Sequence, residues 1–258
     1  MGRVTAVIFD WAGTTVDHGS LAPVRTLQKL FAGRGMAVTE EEARRDMGIH
    51  KKDHIRALLR AKMGPATDEA QVEDLFAAFI PMQMDCLAAY SNVIPGVTAT
   101  VEALHARGIK IGSTTGYTRP MLDLLLETAA AQGYRPACAL CPDDTVAGRP
   151  LPWMCYLNAI RLRTYPMHTM IKIGDTISDI EEGSNAGMWP SGIARTGNMI
   201  GLTADELAAL PDTEQAARLD AARHKLREAG ADYVADAVAD CIPLVDAIEE
   251  RLARSERP

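Results

Sequence analysis

VIFDWAGTTVD, residues 7–17, is a run of strand-forming apolar residues that ends on an acid, followed by a Trp-Ala-Gly loop, two threonines and a second acid. Short apolar runs rich in β-branched residues read as buried strands, so residues 4–10 are expected to form one. A carboxylate at the end of a buried strand costs free energy unless its charge is used. The stretch therefore raises two questions: what needs Asp10, and why the residue two places on, Ala12, carries only a methyl group.

Downstream, residues from about Ala22 to Tyr90 show helical spacing without a convincing strand. Thr39, with Glu42 three residues later, forms a capping box that starts one of these helices. Strands and helices then alternate. Residues 108–116 read as a strand running into a glycine turn, and Pro120 sits in the first turn of the next helix. ACALCP is a strand, LPWMCYLNAIRL a helix, and residues 168–175 a strand that again ends on an acid, Asp175. A short helix closed by glycine and the strand MWPSGIA follow; the tail after Leu202 is mostly helical, with DYVADA offering an edge strand, and carries no readable chemistry.

This alternation predicts an α/β fold with a parallel sheet covered on both faces. The helical block interrupts it directly after the first strand. The expected architecture is a Rossmann-like parallel sheet core with an inserted all-helical cap domain between the first and second core strands. Residues 1–19 and 98–258 would form the core and residues 20–97 the cap. Ligands of such sheets sit at the carboxyl ends of the strands, where three loops carrying acids, threonines and glycines fall: residues 10–15, 113–117 and 174–179.

Composition narrows the function. The chain has 258 residues, 47% apolar and 24% charged, as soluble globular proteins do. Without a run of eighteen apolar residues no membrane partner is expected, and the apolar N-terminal run leads straight into an acid, unlike a cleavable signal. A net charge of −7 without a basic run argues against nucleic acid. Five cysteines, an odd number, fit reduced thiols in a cytoplasmic protein. Cys138 and Cys141 form a CxxC, but no second pair completes a zinc site and ACALCP reads as a buried strand, so small core residues are expected.

Asp10 and Asp175 both end apolar strands, and Asp179 follows Asp175 by one helical turn. Helix capping explains each acid singly, but three carboxylates converging on one sheet edge repel each other unless a cation lies among them. Hard oxygen donors in small number, with room for water and phosphate, suit magnesium, Mg2+.

The segments D10-W-A-G-T-T, S113-T-T-G, R149-P and G174-D-T-I-S-D resemble the haloacid dehalogenase superfamily of phosphotransferases. The resemblance implies that Asp10 attacks phosphorus, that Thr114 or Thr115 binds a phosphoryl oxygen, that Arg149 neutralises it, and that Asp175 and Asp179 hold magnesium. Thr115, nearest the Gly116 turn, is the preferred threonine. Most phosphatases of that superfamily carry an acid two residues after the nucleophile, to protonate a leaving alkoxide. Here that position is Ala12. A carbon–phosphorus bond has no alkoxide to protonate; its leaving carbanion needs an electron sink, which a lysine imine supplies.

MGIHKKDHIRALL offers the lysine. On a helix, Met47, Lys51, His54, Ile55 and Leu58 share one face, while Lys52 points towards Arg56 and solvent. Apolar surroundings and cationic neighbours both favour a neutral Lys51, and His54 could move its proton. A lysine pair on a helix is ordinarily a solvated face; the methyl group at position 12 reverses that preference.

FDWAGTTVD, MGxxKxDH, GSTTGYTR, AGRPxPWMCY and GDTxSDxxEGxNAGMW together resemble the phosphonoacetaldehyde hydrolase (phosphonatase) family from about Val4 to Trp189. That resemblance implies a phosphonate substrate condensing with Lys51, an aspartyl-phosphate on Asp10, supporting roles for Met47, His54 and Tyr117, and magnesium held by Asp10, the Ala12 backbone carbonyl and Asp175. It also implies a homodimer, for which the apolar positions near Leu21–Phe31 could supply a face, although core burial explains them equally well. A cysteine of one family pocket falls at Ser20. Backbone N–H groups of the Gly13 and Gly116 turns could add phosphate donors. A phosphomonoester phosphatase or mutase would want an acid at position 12 and have no use for Lys51; a non-catalytic phosphate- or metal-binding module would tolerate losing Asp10.

Overall fold

The computed structural model describes residues 2–258. Its strands are β1 (Ala6–Phe9), β2 (Lys110–Thr114), β3 (Cys138–Leu140), β4 (Met170–Gly174), β5 (Trp189–Ile193) and β6 (Tyr233–Ala235). They pair in parallel in the order β3-β2-β1-β4-β5-β6, as expected for a Rossmann-like core. Successive side chains of β1 serve opposite faces. Val7 and Phe9 join one apolar cluster, whereas Ala6 and Ile8 join another with Leu140, Met154 and Met170.

Of the five α-helices between β1 and β2, four precede the return to the core: α1 (Leu21–Ala32), α2 (Glu40–Arg45), α3 (Lys51–Met63) and α4 (Glu69–Leu87). They form the inserted helical cap. Its interior is built from Leu27, Phe31, Leu58, Leu59, Val72, Leu75 and Phe79, all buried. The Thr39–Glu42 capping box forms as expected. Leu21 is buried, and Val24, Leu27, Leu30 and Phe31 are buried in this cluster, so core burial, the second reading offered for them, accounts for that face.

One expectation changes. Met47 does not share a helix with Lys51. The chain turns at Gly48 (φ 95°), and α3 starts only at Lys51, with His50 at its N-cap. From Lys51 onward the expected face holds: Lys51, His54, Ile55 and Leu58 are buried, while Lys52 is turned outward to pair with Glu73.

The chain then continues through α5 (Val97–Ala106), α6 (Arg119–Ala131), α7 (Trp153–Leu162), α8 (Ile177–Asn185), α9 (Ala204–Ala208), α10 (Asp212–Glu228) and α11 (Cys241–Ala253). The tail after Leu202 is structural: it supplies the edge strand β6, and α10 covers Gly192 of β5 with Leu226. The five cysteines are free, and Cys138 and Cys141 are buried core residues. No described helix is long and apolar enough to cross a membrane.

The crossing from core to cap is fixed by the second acid of the opening stretch. Asp17 is buried, and its two carboxylate oxygens accept from the backbone N–H groups of Leu21 (3.1 Å) and Ala22 (3.0 Å). It thereby satisfies two orphan donors at the start of α1. Asp17→Ala should lower the unfolding free energy by about 1–2 kcal/mol, read as a lower urea midpoint at unchanged slope; an unaltered midpoint would contradict this capping role.

Candidate active site

The sheet order explains why the site residues meet. Asp10 follows β1, Thr115 follows β2 and Asp175 follows β4, and these three strands are neighbours. Adjacent strands lie roughly 4.8 Å apart, so groups one residue beyond their ends converge. Ligand-capable oxygens of Asp10, Asp175 and Asp179 all lie within 4.8 Å of one another.

The loop between Asp10 and Val16 is wound tightly: the N–H groups of Thr14, Thr15 and Val16 all donate to the Trp11 carbonyl. Gly13 adopts φ 85°, and a Cβ there would lie 2.2 Å from Asp175 Oδ2, so both conformation and space require glycine. Asp175 accepts from Thr14 Oγ1 (3.2 Å) and from the Asn198 N–H (2.7 Å). The Ala12 carbonyl accepts no hydrogen bond from the described residues.

Beneath these acids runs a lattice of buried charge. Arg149 Nη1 contacts Asp10 Oδ1 (2.7 Å) and Asp179 Oδ1 (2.8 Å), and its Nε reaches Glu182 Oε2 (3.0 Å). Its Nη2 donates to the Thr114 carbonyl (2.7 Å) and hydroxyl (2.6 Å). Lys172 Nζ contacts Asp179 Oδ1 (2.5 Å) and Glu182 Oε2 (3.6 Å). Asp179 Oδ2 accepts from the Thr176 hydroxyl (2.6 Å) and N–H (3.2 Å). Lys172 and Glu182 were not singled out from sequence, and Thr114 was considered only as the alternative to Thr115 for a phosphoryl oxygen. A lysine inside MIKIG, a strand buried along its whole length, is the signal that could have revealed the lattice.

The charges do not balance. Asp10, Asp175, Asp179 and Glu182 face only Arg149 and Lys172, leaving two negative charges in a dry volume. The effect shows in the acids. Burial first, then Asp179, pushes the Asp10 carboxyl up to about 6, against the pull of Arg149 and Lys172. Burial, Asp10 and Asp179 push Asp175 well above the usual carboxylate range. Burial would raise Asp179 too, but Arg149 and Lys172 outweigh it and hold its carboxyl below that range. A divalent cation fits this deficit and this set of hard oxygen donors. Asp10, Asp175 and the Ala12 carbonyl could hold one, whereas Asp179 is already paired with two cations, Arg149 and Lys172.

The cap closes over this edge. Asp10, Ala12, Thr115, Gly116, Tyr117 and Thr176 from the core and Ser20, Pro23, Met47, Gly48 and Lys51 from the cap line one cleft, whose cavity is about 20 Å³. A Cβ on Gly116 would lie 2.4 Å from the Ile49 carbonyl, so core and cap backbones meet directly there. Thr115, rather than Thr114, faces the cleft; the Thr114 hydroxyl is committed to Glu182 and Arg149.

Lys51 is 3% exposed. Its Nζ lies 3.6 Å from Met47 Sδ and 5.4 Å from the centre of the Tyr117 ring, with no carboxylate in direct contact. Burial pulls its pKa down to about 8; Arg149 adds to the effect, and Asp10 and Asp175 oppose it. His54, one turn on, is fully buried with neither ring nitrogen hydrogen-bonded, and burial, then Lys51, pushes it down to about 3, so the ring is neutral. Burial likewise holds the Tyr117 hydroxyl protonated. The structure thus brings the expected residues together in two tiers: Asp10, Ala12, Met47, Lys51, Thr115, Gly116, Tyr117 and Ser20 line the cleft, and Arg149, Asp179 and His54 stand behind it.

Acids at strand ends, a cation beneath them and a helical cap between β1 and β2 define a haloacid dehalogenase-like hydrolase, and the family model of that description matches residues 4–187. Closer relatives narrow the class. A phosphonoacetaldehyde hydrolase from Nitratidesulfovibrio vulgaris is 44% identical over all of this chain and 95% of its own. One from Bacillus cytotoxicus is 43% identical over 96% of this chain and 98% of its own. The crystal structure of a phosphonoacetaldehyde hydrolase-like protein from Oleispira antarctica superposes with a TM-score of 0.96 at 41% identity, covering 100% of this chain and 96% of that one. The chain belongs to the phosphonoacetaldehyde hydrolase family.

The lysine's burial makes a prediction independent of activity. Its pKa of about 8 in the fold, against 10.5 free, means that between these values the unfolded chain binds more protons, so stability rises with pH there. Below pH 8 the full cost stands, on the order of 3 kcal/mol. Lys51→Met should therefore be more stable than the parent at pH 7, with the gain shrinking as pH climbs from about 8 to 10.5. Denaturant titrations across that range check it; a gain independent of pH would refute the assignment of a neutralised amine.

Proposed function

We propose that this chain hydrolyses the carbon–phosphorus bond of phosphonoacetaldehyde to acetaldehyde and phosphate, with residues 20–97 acting as a cap domain over a core of residues 1–19 and 98–258. The observation that carries this reading is the buried amine of Lys51 lining the same cleft as Asp10, with a methyl group rather than an acid at position 12.

The neutral Lys51 amine attacks the substrate aldehyde; water leaves and an imine forms. Protonated, this imine is the electron sink that a C–P cleavage needs. The Asp10 carboxylate attacks phosphorus, the C–P bond breaks, and its electron pair passes into the iminium to give an enamine. Protonation at carbon and hydrolysis release acetaldehyde and restore Lys51, while a second water hydrolyses the aspartyl-phosphate and frees phosphate. His54, neutral and next to Lys51, is placed to exchange the protons of imine formation. Thr115 and Arg149 hold the phosphonate oxygens, the Gly116 turn adds backbone donors, and Met47 and Tyr117 keep the amine in a dry, low-polarity setting. Mg2+ held by Asp10, Asp175 and the Ala12 carbonyl, with Asp179 as the third carboxylate of the cluster, would offset the charge of a phosphonate approaching these acids.

Closure of the cap joins the nucleophile and the lysine and excludes water from the enamine. Free thiols and the absence of a membrane-spanning helix among the described residues agree with a cytoplasmic enzyme acting on a small phosphonate. The family resemblance favours a homodimer.

Sodium borohydride added with phosphonoacetaldehyde should inactivate the enzyme irreversibly and leave a reduced two-carbon or phosphonoethyl adduct on Lys51, located by peptide mass spectrometry. The trapping rate should climb about tenfold per pH unit below 8 and level off above it, as the amine loses its proton. Lys51→Arg should retain the fold and lose nearly all release of acetaldehyde and phosphate, and chelation should abolish release by the parent. Substrate-dependent trapping at another lysine, or normal turnover by Lys51→Arg, would sink the imine route.

A further inference from the structure

A cleft with a cavity of about 20 Å³ admits no substrate unless cap and core separate, so something must fix where the cap comes to rest. Away from the cleft, one cap side chain crosses the boundary with an unusual number of bonds. Arg44, the penultimate residue of α2, is 12% exposed at its side chain. Its Nη1 donates to the Gly19 carbonyl (2.9 Å), to Asn198 Oδ1 (3.1 Å) and to the Asn198 carbonyl (3.4 Å), and its Nη2 donates to the Gly201 carbonyl (3.0 Å). Asn198 answers by donating Nδ2 to the Arg44 carbonyl (3.0 Å).

The socket is made for this group. Gly201 adopts φ 68°, and a Cβ there would lie 2.6 Å from Arg44 Cζ. The Gly19 N–H is held by the Thr196 carbonyl (2.8 Å), so the core segments of the socket are tied to each other. Asn198 is itself buried and donates its N–H to Asp175 Oδ2 (2.7 Å). One core residue thus grips the cap on one side and a site carboxylate on the other. On the cap side, Arg44 precedes Met47 by three residues and Lys51 by seven, so the anchored segment is the one that delivers both to the cleft.

We infer that Arg44 and Asn198 form a closure latch: positioning residues that hold the cap in the one register where the Lys51 amine meets the core site, and that release when the cleft opens. A planar guanidinium bonded to three carbonyls and an amide is directional, so it fixes orientation as well as proximity. The latch rests on the proposed reaction only for the role given to Lys51.

Its test is labelling of Lys51 by acetic anhydride in the substrate-free enzyme, followed by peptide mass spectrometry. Lys172, fully buried in β4, serves as an internal reporter of global unfolding. Arg44→Ala and Asn198→Ala should speed acetylation of Lys51 by about tenfold or more while leaving Lys172 unchanged, with Arg44→Lys between Arg44→Ala and the parent. In turnover, Arg44→Ala should raise KM by about tenfold and leave kcat within roughly twofold, because a substrate joined to Lys51 draws the cap shut at saturation. Unchanged Lys51 labelling, or Lys51 and Lys172 labelling that rise together, would overturn the latch, as would a fall in kcat at constant KM. If the parent fails to turn over phosphonoacetaldehyde, the reaction reading fails, and the labelling ratios still decide the latch.

Discussion

Buried negative charge is the constraint from which the rest of the structure follows. Parallel pairing of β2, β1 and β4 puts the residues after their ends within reach of one another, and two of these are acids. In a low-dielectric volume such groups cannot all ionise unless cations are built in or bound. The fold builds in two, Arg149 and Lys172, and both are held by Asp179. Asp179 and Glu182 occupy one face of α8 and act as the anchors of those cations, which frees Arg149 to reach Asp10. The lattice is thus a base that aims one guanidinium at Asp10 while leaving Asp10 and Asp175 under-compensated. A site in that condition suits a divalent cation.

The cap completes the balance with a group that must not be charged at the wrong time. Lys51 is brought into the same volume as Asp10, but its first neighbours are a thioether and an aromatic ring rather than a carboxylate. A direct carboxylate contact would have held the ammonium form and raised its pKa. Burial without a partner does the opposite and lowers the pKa of the amine to about 8, as the proposed attack on a carbonyl requires. The same unpartnered burial costs folding free energy, the usual condition of groups kept reactive by their surroundings.

Much of this was legible in the sequence, for reasons that separate local from non-local information. Period and turn chemistry are local, so the parallel-sheet core, the helical insertion, the Thr39–Glu42 box and the acids at the ends of β1 and β4 could all be read from short windows. The buried face of α3 was read correctly from Lys51 onward, whereas Met47 was placed on that helix because spacing alone cannot show the turn at Gly48. The charge lattice was invisible for a different reason. Thr114 and Glu182 lie 68 residues apart, and Arg44 and Asn198 lie 154 apart; their pairing is decided by sheet order and cap docking, which no single segment encodes. Lys172 was the exception, since an ionisable residue inside a strand buried on both sides demands partners somewhere, even when the partners cannot be named.

The methyl group at position 12 can now be read physically. Ala12 and Lys51 line the same cleft. An acid at that position would add a further negative charge to a cluster already short of two positive ones, in the cleft that Lys51 also lines. A carboxylate near a buried lysine favours its charged form, whereas the proposed imine needs a neutral amine. In the proposed reaction, the acid that would serve a departing alkoxide has no task and would work against the lysine. In that reading Ala12 keeps a backbone carbonyl for a cation and omits a side chain that would oppose the chemistry proposed for Lys51.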